Sequence, residues 1–223
     1  ERSYKAAYTQ RTAVELLMSM TSELDIEAMK ADIRAKINAL PPVKKKEMKE
    51  KLEGAGLPTA FKNVTDVAVL EKAIKSANKH IREKSLENEE FNGMGTTLVV
   101  ACVVDNSMYV ANIGDSRLYV IDNQIRQITR DHSYVEEMVS LGKMSRDAKE
   151  YSAKKNIITR AMGASDRVIP DFFEVDICDD DVILMCSDGL TNMVDDEEIK
   201  DIIKMPEGIK HKAEMLVDEA NNN

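Results

Sequence analysis

The chain has 223 residues, enough for one large domain or two small ones and enough to bury a sizeable core. Its 31 Lys and Arg against 40 Asp and Glu leave a formal net charge of -9, which argues against a general nucleic-acid surface. No apolar run is long enough to span a bilayer and no signal peptide is visible, so a cytoplasmic location without a membrane segment is expected.

Apolar spacing predicts a helix over residues 3–20, with Ala7, Val14, Leu17 and Met18 among its apolar positions. Asp25 could cap a second helix carrying Ile26, Met29, Ile33, Ile37 and Leu40, which Pro41-Pro42 stops. Residues 43–52 are rich in Lys and Glu and predict a mostly solvated segment, ended by Gly54, Gly56 and Pro58. Asp66 could then cap a cleaner helix with Val67, Leu70, Ile74, Ala77 and Ile81 on one face.

After Gly95 the pattern becomes β-rich. Strands are predicted over 97–104, 108–113, 117–121 and 124–128, joined by short turns as a β-meander. Ser133 and Glu136 have the spacing of a capping box for a short helix, and Ser145 could cap another piece. Two further strands, 168–177 and 181–186, are joined by the acidic turn Cys178-Asp179-Asp180. Asp195 or Asp196 caps a helix through Ile203, and 209–220 is a last helix. Helices first, then antiparallel strands, then mixed elements predict an α+β fold.

Cys102, Cys178 and Cys186 stand in strand-like apolar runs and fit no zinc spacing, which predicts buried, reduced thiols. The 13 Met are scattered and read as core filler.

Asp188 follows the apolar strand Val182-Ile183-Leu184-Met185-Cys186, expected to lie centrally in its sheet. Gly189 would let the backbone turn sharply beside the carboxylate. A hard oxygen donor at a strand end suits Mg²⁺ or Mn²⁺; the alternative is a turn Asp bonded to its own backbone. Asp115, flanked by Gly114 and Ser116 between two strands, carries the same two readings. Arg117 could bind phosphate or serve as an ion-pair partner inside the fold. His132 could be a general acid or a capping and packing residue. His80 and His211 have no partners in sequence. Gly93-Met94-Gly95-Thr96-Thr97 lacks the Lys of a P-loop, and its glycines are read as permitting close packing.

These motifs, in this order, resemble the metal-dependent protein phosphatase family, type 2C, in its bacterial form. Gly93-Met94-Gly95-Thr96-Thr97-Leu98 looks like the family's entry into a central strand, and Gly114-Asp115-Ser116-Arg117 like its Gly-Asp-Ser-Arg turn. Asp131-His132-Ser133 with Asn156-Ile157-Ile158-Thr159-Arg160-Ala161-Met162-Gly163 looks like the two sides of its flap. Cys186-Ser187-Asp188-Gly189-Leu190 looks like its Ser-Asp-Gly-Leu motif. The resemblance covers roughly residues 67–220.

The resemblance implies a four-layer α/β/β/α sandwich of two antiparallel sheets, apparently without its terminal strands. It implies one domain over 1–223, with a helical insertion near 22–63 and a flap near 129–160. It implies hydrolysis of phosphoserine and phosphothreonine by a metal-activated water, without a covalent intermediate, using two Mn²⁺ or Mg²⁺ ions and a third, weaker one. Asp188 matches a ligand of the metal pair and Asp115 a ligand of the third ion; no substrate-binding residue is assigned. The partners implied are phosphoproteins made by a serine/threonine kinase, with the enzyme a monomer. The family's Asp-Gly-x-Gly-Gly and Gly-x-Asp-Asn motifs, which carry further ligands, are not in this chain, as expected of a core fragment. That difference keeps open an alternative: a catalytically inactive protein of the same fold that binds a partner.

Overall fold

The computed structural model describes residues 64–104, 106–146 and 149–223. The first two predicted helices, the 43–52 segment and the 22–63 insertion lie outside the described residues. The chain divides into two compact units, one holding residues 64–98 with Arg160–Glu174, the other Val99–Thr159 with Val175–Asn223.

The first unit is built on α1 (Val64–Glu87). Asp66 lies within this helix instead of capping it. Val67, Ile74, Ala77 and Ile81 are buried on the expected face, each removing apolar surface from water. Asn78 shares their burial and is fully used: its Nδ2 donates to the Ser165 carbonyl at 2.9 Å and its Oδ1 accepts from the Gly163 amide at 2.8 Å. Thr96 and Met162 exchange two backbone bonds, of 3.1 and 2.8 Å. This contact explains the glycines around it. A Cβ on Gly95 would stand 2.9 Å from the Met162 carbonyl oxygen. One on Gly163 would stand 2.4 Å from Ile81 Cγ2, at a φ of +81°. Close packing, not phosphate cradling, is what Gly95 permits.

The strands are β1 (Leu98–Val104), β2 (Ser107–Ile113), β3 (Arg117–Ile121), β4 (Ile125–Gln127), β5 (Asp171–Asp176) and β6 (Val182–Cys186). They form two antiparallel sheets flanked by helices, ordered β1-β2-β5 and β4-β3-β6. The predicted meander therefore breaks between β2 and β3, which belong to different sheets. The break falls at Gly114, whose φ of 108° redirects the chain as few other residues could. Likewise β5 and β6 do not form a hairpin but end in separate sheets.

β3, not β6, is central in its sheet among the described residues, pairing antiparallel with β4 and with β6. Tyr119 and Ile121 on one face and Leu118 and Val120 on the other are all buried, so both faces are covered. β6 leaves Met185 exposed, as an edge strand can.

The remaining helices are α2 (Tyr134–Ser140), α3 (Lys149–Lys154), α4 (Asp188–Thr191), α5 (Asp196–Lys204) and α6 (Ile209–Asn222). Of the two candidate caps for α5, Asp195 is the one used, in a reciprocal capping box with Glu198. Ile199, Ile202 and Ile203 of α5 and Leu216 of α6 close over Tyr119 and Ile121, forming one core cluster with Val194. Ser133 caps α2 by accepting from the Glu136 amide at 3.3 Å. The Glu136 carboxylate does not complete that box: it takes Arg146 at 3.0 and 2.8 Å and the Tyr151 hydroxyl at 2.7 Å. The three cysteines are free and none is fully buried: Cys102 and Cys186 are half-buried in their strands, and Cys178 is exposed because it sits in the turn after β5. Among the described residues no helix is long and apolar enough to cross a membrane.

Candidate functional site

In the second unit the pairing of β3 with β6 sets Arg117 opposite Cys186 and Leu118 opposite Met185. Carried outward through Ser116 and Ser187, the same register leads to Asp115 and Asp188. The two acid-bearing motifs are thus the adjoining ends of one antiparallel pair, although 73 positions separate them in the chain. Their charges meet: Asp115 is raised above its ordinary value by burial first, then by the negative charge of Asp188 and less by that of Asp131.

Asp188 stands where β6 gives way to α4, in that helix's first turn. The change of direction is made by Ser187, extended at ψ 172°, and Gly189 is helical without a positive φ. The sharp glycine turn expected there is absent for that reason. Asp188 Oδ2 accepts from Asn192 Nδ2 at 3.2 Å, one helical turn on.

Arg117 is committed to Asp131. Nε lies 3.0 and 3.1 Å from the two carboxylate oxygens and Nη2 2.8 Å from Oδ2. Its Nη1 donates to the Tyr119 hydroxyl at 3.0 Å, which donates in turn to Asp196 Oδ1 at 3.1 Å. Burial and the Asp196 charge push the Tyr119 phenol far up, so it stays a donor. Of the two readings of Arg117, the ion-pair partner is the one found. The roles of Asp131 and Asp196 were missed in sequence because nothing local marks an acid 14 positions from Arg117 or 77 positions from Tyr119 as a partner.

His132 is buried and packs against the turn that carries Asp115. Its Nδ1 accepts from the Gly114 amide at 3.1 Å, and its own amide donates to the Gly114 carbonyl at 2.8 Å. Asn112, fully buried, adds a bond from Nδ2 to the Gly114 carbonyl at 3.3 Å and one to the Arg130 carbonyl at 2.8 Å. The packing role foreseen for His132 is what the geometry gives. His80 bonds the Ser76 carbonyl on the surface of α1, and His211 faces Glu214, so neither belongs to the site.

Across from His132 runs the segment from Ile157 to Thr159. Thr159 donates to the His132 carbonyl and Tyr134 to the Ile157 carbonyl, each at 2.8 Å. Among the described residues no group of three or more His, Cys, Asp or Glu side chains is placed to hold a metal ion.

A family model for protein phosphatase 2C matches residues 31–138. The serine/threonine phosphatase stp of Listeria monocytogenes is 40% identical over 154 residues, 69% of this chain and 61% of that protein. The protein phosphatase PhpP of Streptococcus pneumoniae is 42% identical over 137 residues, 61% of this chain and 56% of that protein.

The chain belongs to the protein phosphatase 2C family.

Solved structures of the family agree. The serine/threonine phosphatase Stp1 from Staphylococcus aureus superposes with a TM-score of 0.63 at 39% identity, covering 69% of this chain and 61% of that one. The catalytic domain of the phosphatase PstP in complex with two manganese ions gives 0.67 at 25% identity, covering 94% and 74%. The chain spans about three fifths of the length of the curated phosphatases it matches.

Proposed function

We propose that the chain carries the chemistry of a metal-dependent serine/threonine protein phosphatase, with Asp188 and Asp115 as cation ligands. The observation that supports this most directly is the β3–β6 register, which leads both carboxylates to one end of one strand pair. The donor set fits a hard divalent ion in kind: two carboxylates whose mutual repulsion a cation would relieve. Mg²⁺ typically keeps several waters and is bound through one or two carboxylates together with substrate phosphates, which two Asp side chains can satisfy. When bound, such ions supply Lewis-acid neutralisation of the phosphate and a nucleophile drawn from water near neutral pH.

The rest of the reading concerns this chain's own groups. Arg117 holds Asp131 and is not free for phosphate. The substrates are phosphoserine- and phosphothreonine-bearing proteins, met in the cytoplasm by a monomer organised as one catalytic domain. The flap, 129–160, flanks the site. Two metal ions with a third, weaker one complete the reading, as does water attack without a phosphoenzyme.

The test is hydrolysis of p-nitrophenyl phosphate and of a phosphothreonine peptide, with Mn²⁺ and with EDTA, by this chain and by the longest protein its gene encodes. Turnover that needs Mn²⁺ and disappears in Asp188→Ala supports the proposal. Silence of both proteins would sink it and leave a partner-binding protein of the same fold.

A further inference from the structure

Gly114 is held from two sides at the residue that precedes Asp115. His132 grips it twice, through Nδ1 to the amide and through its own amide to the carbonyl; Asn112 reaches the same carbonyl. The glycine's φ of 108° lies where other residues are strained, so the turn keeps its direction because its neighbours fix it. Nδ1 as acceptor requires a neutral ring with the proton on Nε2. A proton held at Nδ1 would meet the Gly114 N–H head-on.

We propose that His132 is a positioning residue for Asp115: its Nδ1 fixes the Gly114 peptide and thereby aims the carboxylate that follows. It acts through the backbone and touches no reacting atom. The link to cation binding rests on the reading of Asp115 as a ligand; the link to the turn does not. An Asn side chain carries its Oδ1 close to where a His carries Nδ1, so His132→Asn keeps the acceptor and His132→Ala removes it.

The first measurement needs no variant and no metal. A long-range ¹H–¹⁵N correlation spectrum of the whole chain at neutral pH reports which nitrogen of His132 bears the proton. Nε2–H is expected; Nδ1–H would overturn the proposal. Amide exchange follows in the wild type and both variants. The Gly114 and Asp115 amides are expected to exchange about tenfold faster in His132→Ala while the β2 amides hold, and to recover in His132→Asn, since leaving a buried donor unpaired costs enough for that change. Unchanged exchange at Gly114, or an equal rise throughout β2, overturns it. Mn²⁺ affinity by calorimetry is expected to fall about tenfold in His132→Ala and to return in His132→Asn. Equal affinity in His132→Ala overturns the proposed link to the cation. A wild type that takes up no Mn²⁺ would sink the metal reading alone, and the exchange result would still decide the positioning role.

Discussion

Arg117 grips both carboxylate oxygens of Asp131 while its third nitrogen reaches Tyr119, so one guanidinium joins β3 to the segment that follows β4. The pair is only about 23% and 10% exposed, and each partner left alone would be a poorly solvated charge. Arg117→Ala should therefore cost about 3 kcal/mol in urea denaturation, and Arg117→Lys most of that, since an ammonium cannot reproduce the fork. Arg117→Met with Asp131→Leu should recover much of the loss. A loss in the double variant equal to the sum of the single losses would contradict this account.

Asp115 and Asp188 repel each other in the absence of a cation. Because the folded state raises Asp115 above its ordinary 3.8, this group contributes stability below that value, and the contribution is lost as pH rises through its folded value. Asp188→Asn should lower the Asp115 midpoint without restoring it fully, because burial is the larger cause. It should also raise the melting temperature near pH 7 in EDTA, by roughly 2–4 °C for each kcal/mol of repulsion removed. Carbon-detected titration of Asp115 and calorimetric melting measure the two effects.

Glu136 ties α2 to Arg146 and Tyr151, and the Arg146 bonds hold its carboxyl below the ordinary 4.5. With its folded value depressed, Glu136 contributes stability above that ordinary value, and the contribution is lost as pH falls through the folded one. The protection of the α2 and α3 amides, taken relative to their intrinsic exchange rate at each pH, should therefore fall on acidification below about pH 4.5 in the wild type and hold in Glu136→Gln. Arg146 is two-thirds exposed and solvent-screened, so Arg146→Ala should cost only about 1 kcal/mol or less. The Tyr151 phenol, pushed up to about 12 chiefly by burial and then by its bond to Glu136, should stay protonated in ultraviolet titration through pH 10.

Gly163→Ala should be among the most damaging single-methyl additions in the chain. The new Cβ would meet Ile81 Cγ2 and the Met94 carbonyl oxygen at a positive φ, costing about 3 kcal/mol in urea denaturation. Ile81→Val in the same background should relieve only the side-chain contact. Gly142 is also at positive φ, but a Cβ there would have nothing within 4 Å, so the same change should cost only about 1 kcal/mol.

Cys186, half-buried beside the site, has its thiol pushed up to about 11, first by burial. Iodoacetamide at pH 8 should label the exposed Cys178 well before Cys186, and mass spectrometry of the digested protein checks the order.

Local patterning was legible wherever one element makes its own case. The α1 face from Val67 to Ile81, the bounds of β3, the start of α5 at one of two adjacent acids and the two acid motifs all follow from short-range spacing, because side-chain periodicity and capping are short-range physics. Sheet membership was not legible. Strands β2 and β3 look like neighbours in a meander, yet Gly114 sends them to different sheets, and β6 finds its partner in a strand 61 positions earlier. The sequence by itself therefore determined which residues could form the strands and which acids stand at their ends. Only the tertiary structure decided that the strands leading to Asp115 and Asp188 pair with each other, that Arg117 is spent on Asp131, and that His132 faces Gly114. Those choices depend on burial and pairing between distant segments, and no local pattern encodes a partner's position.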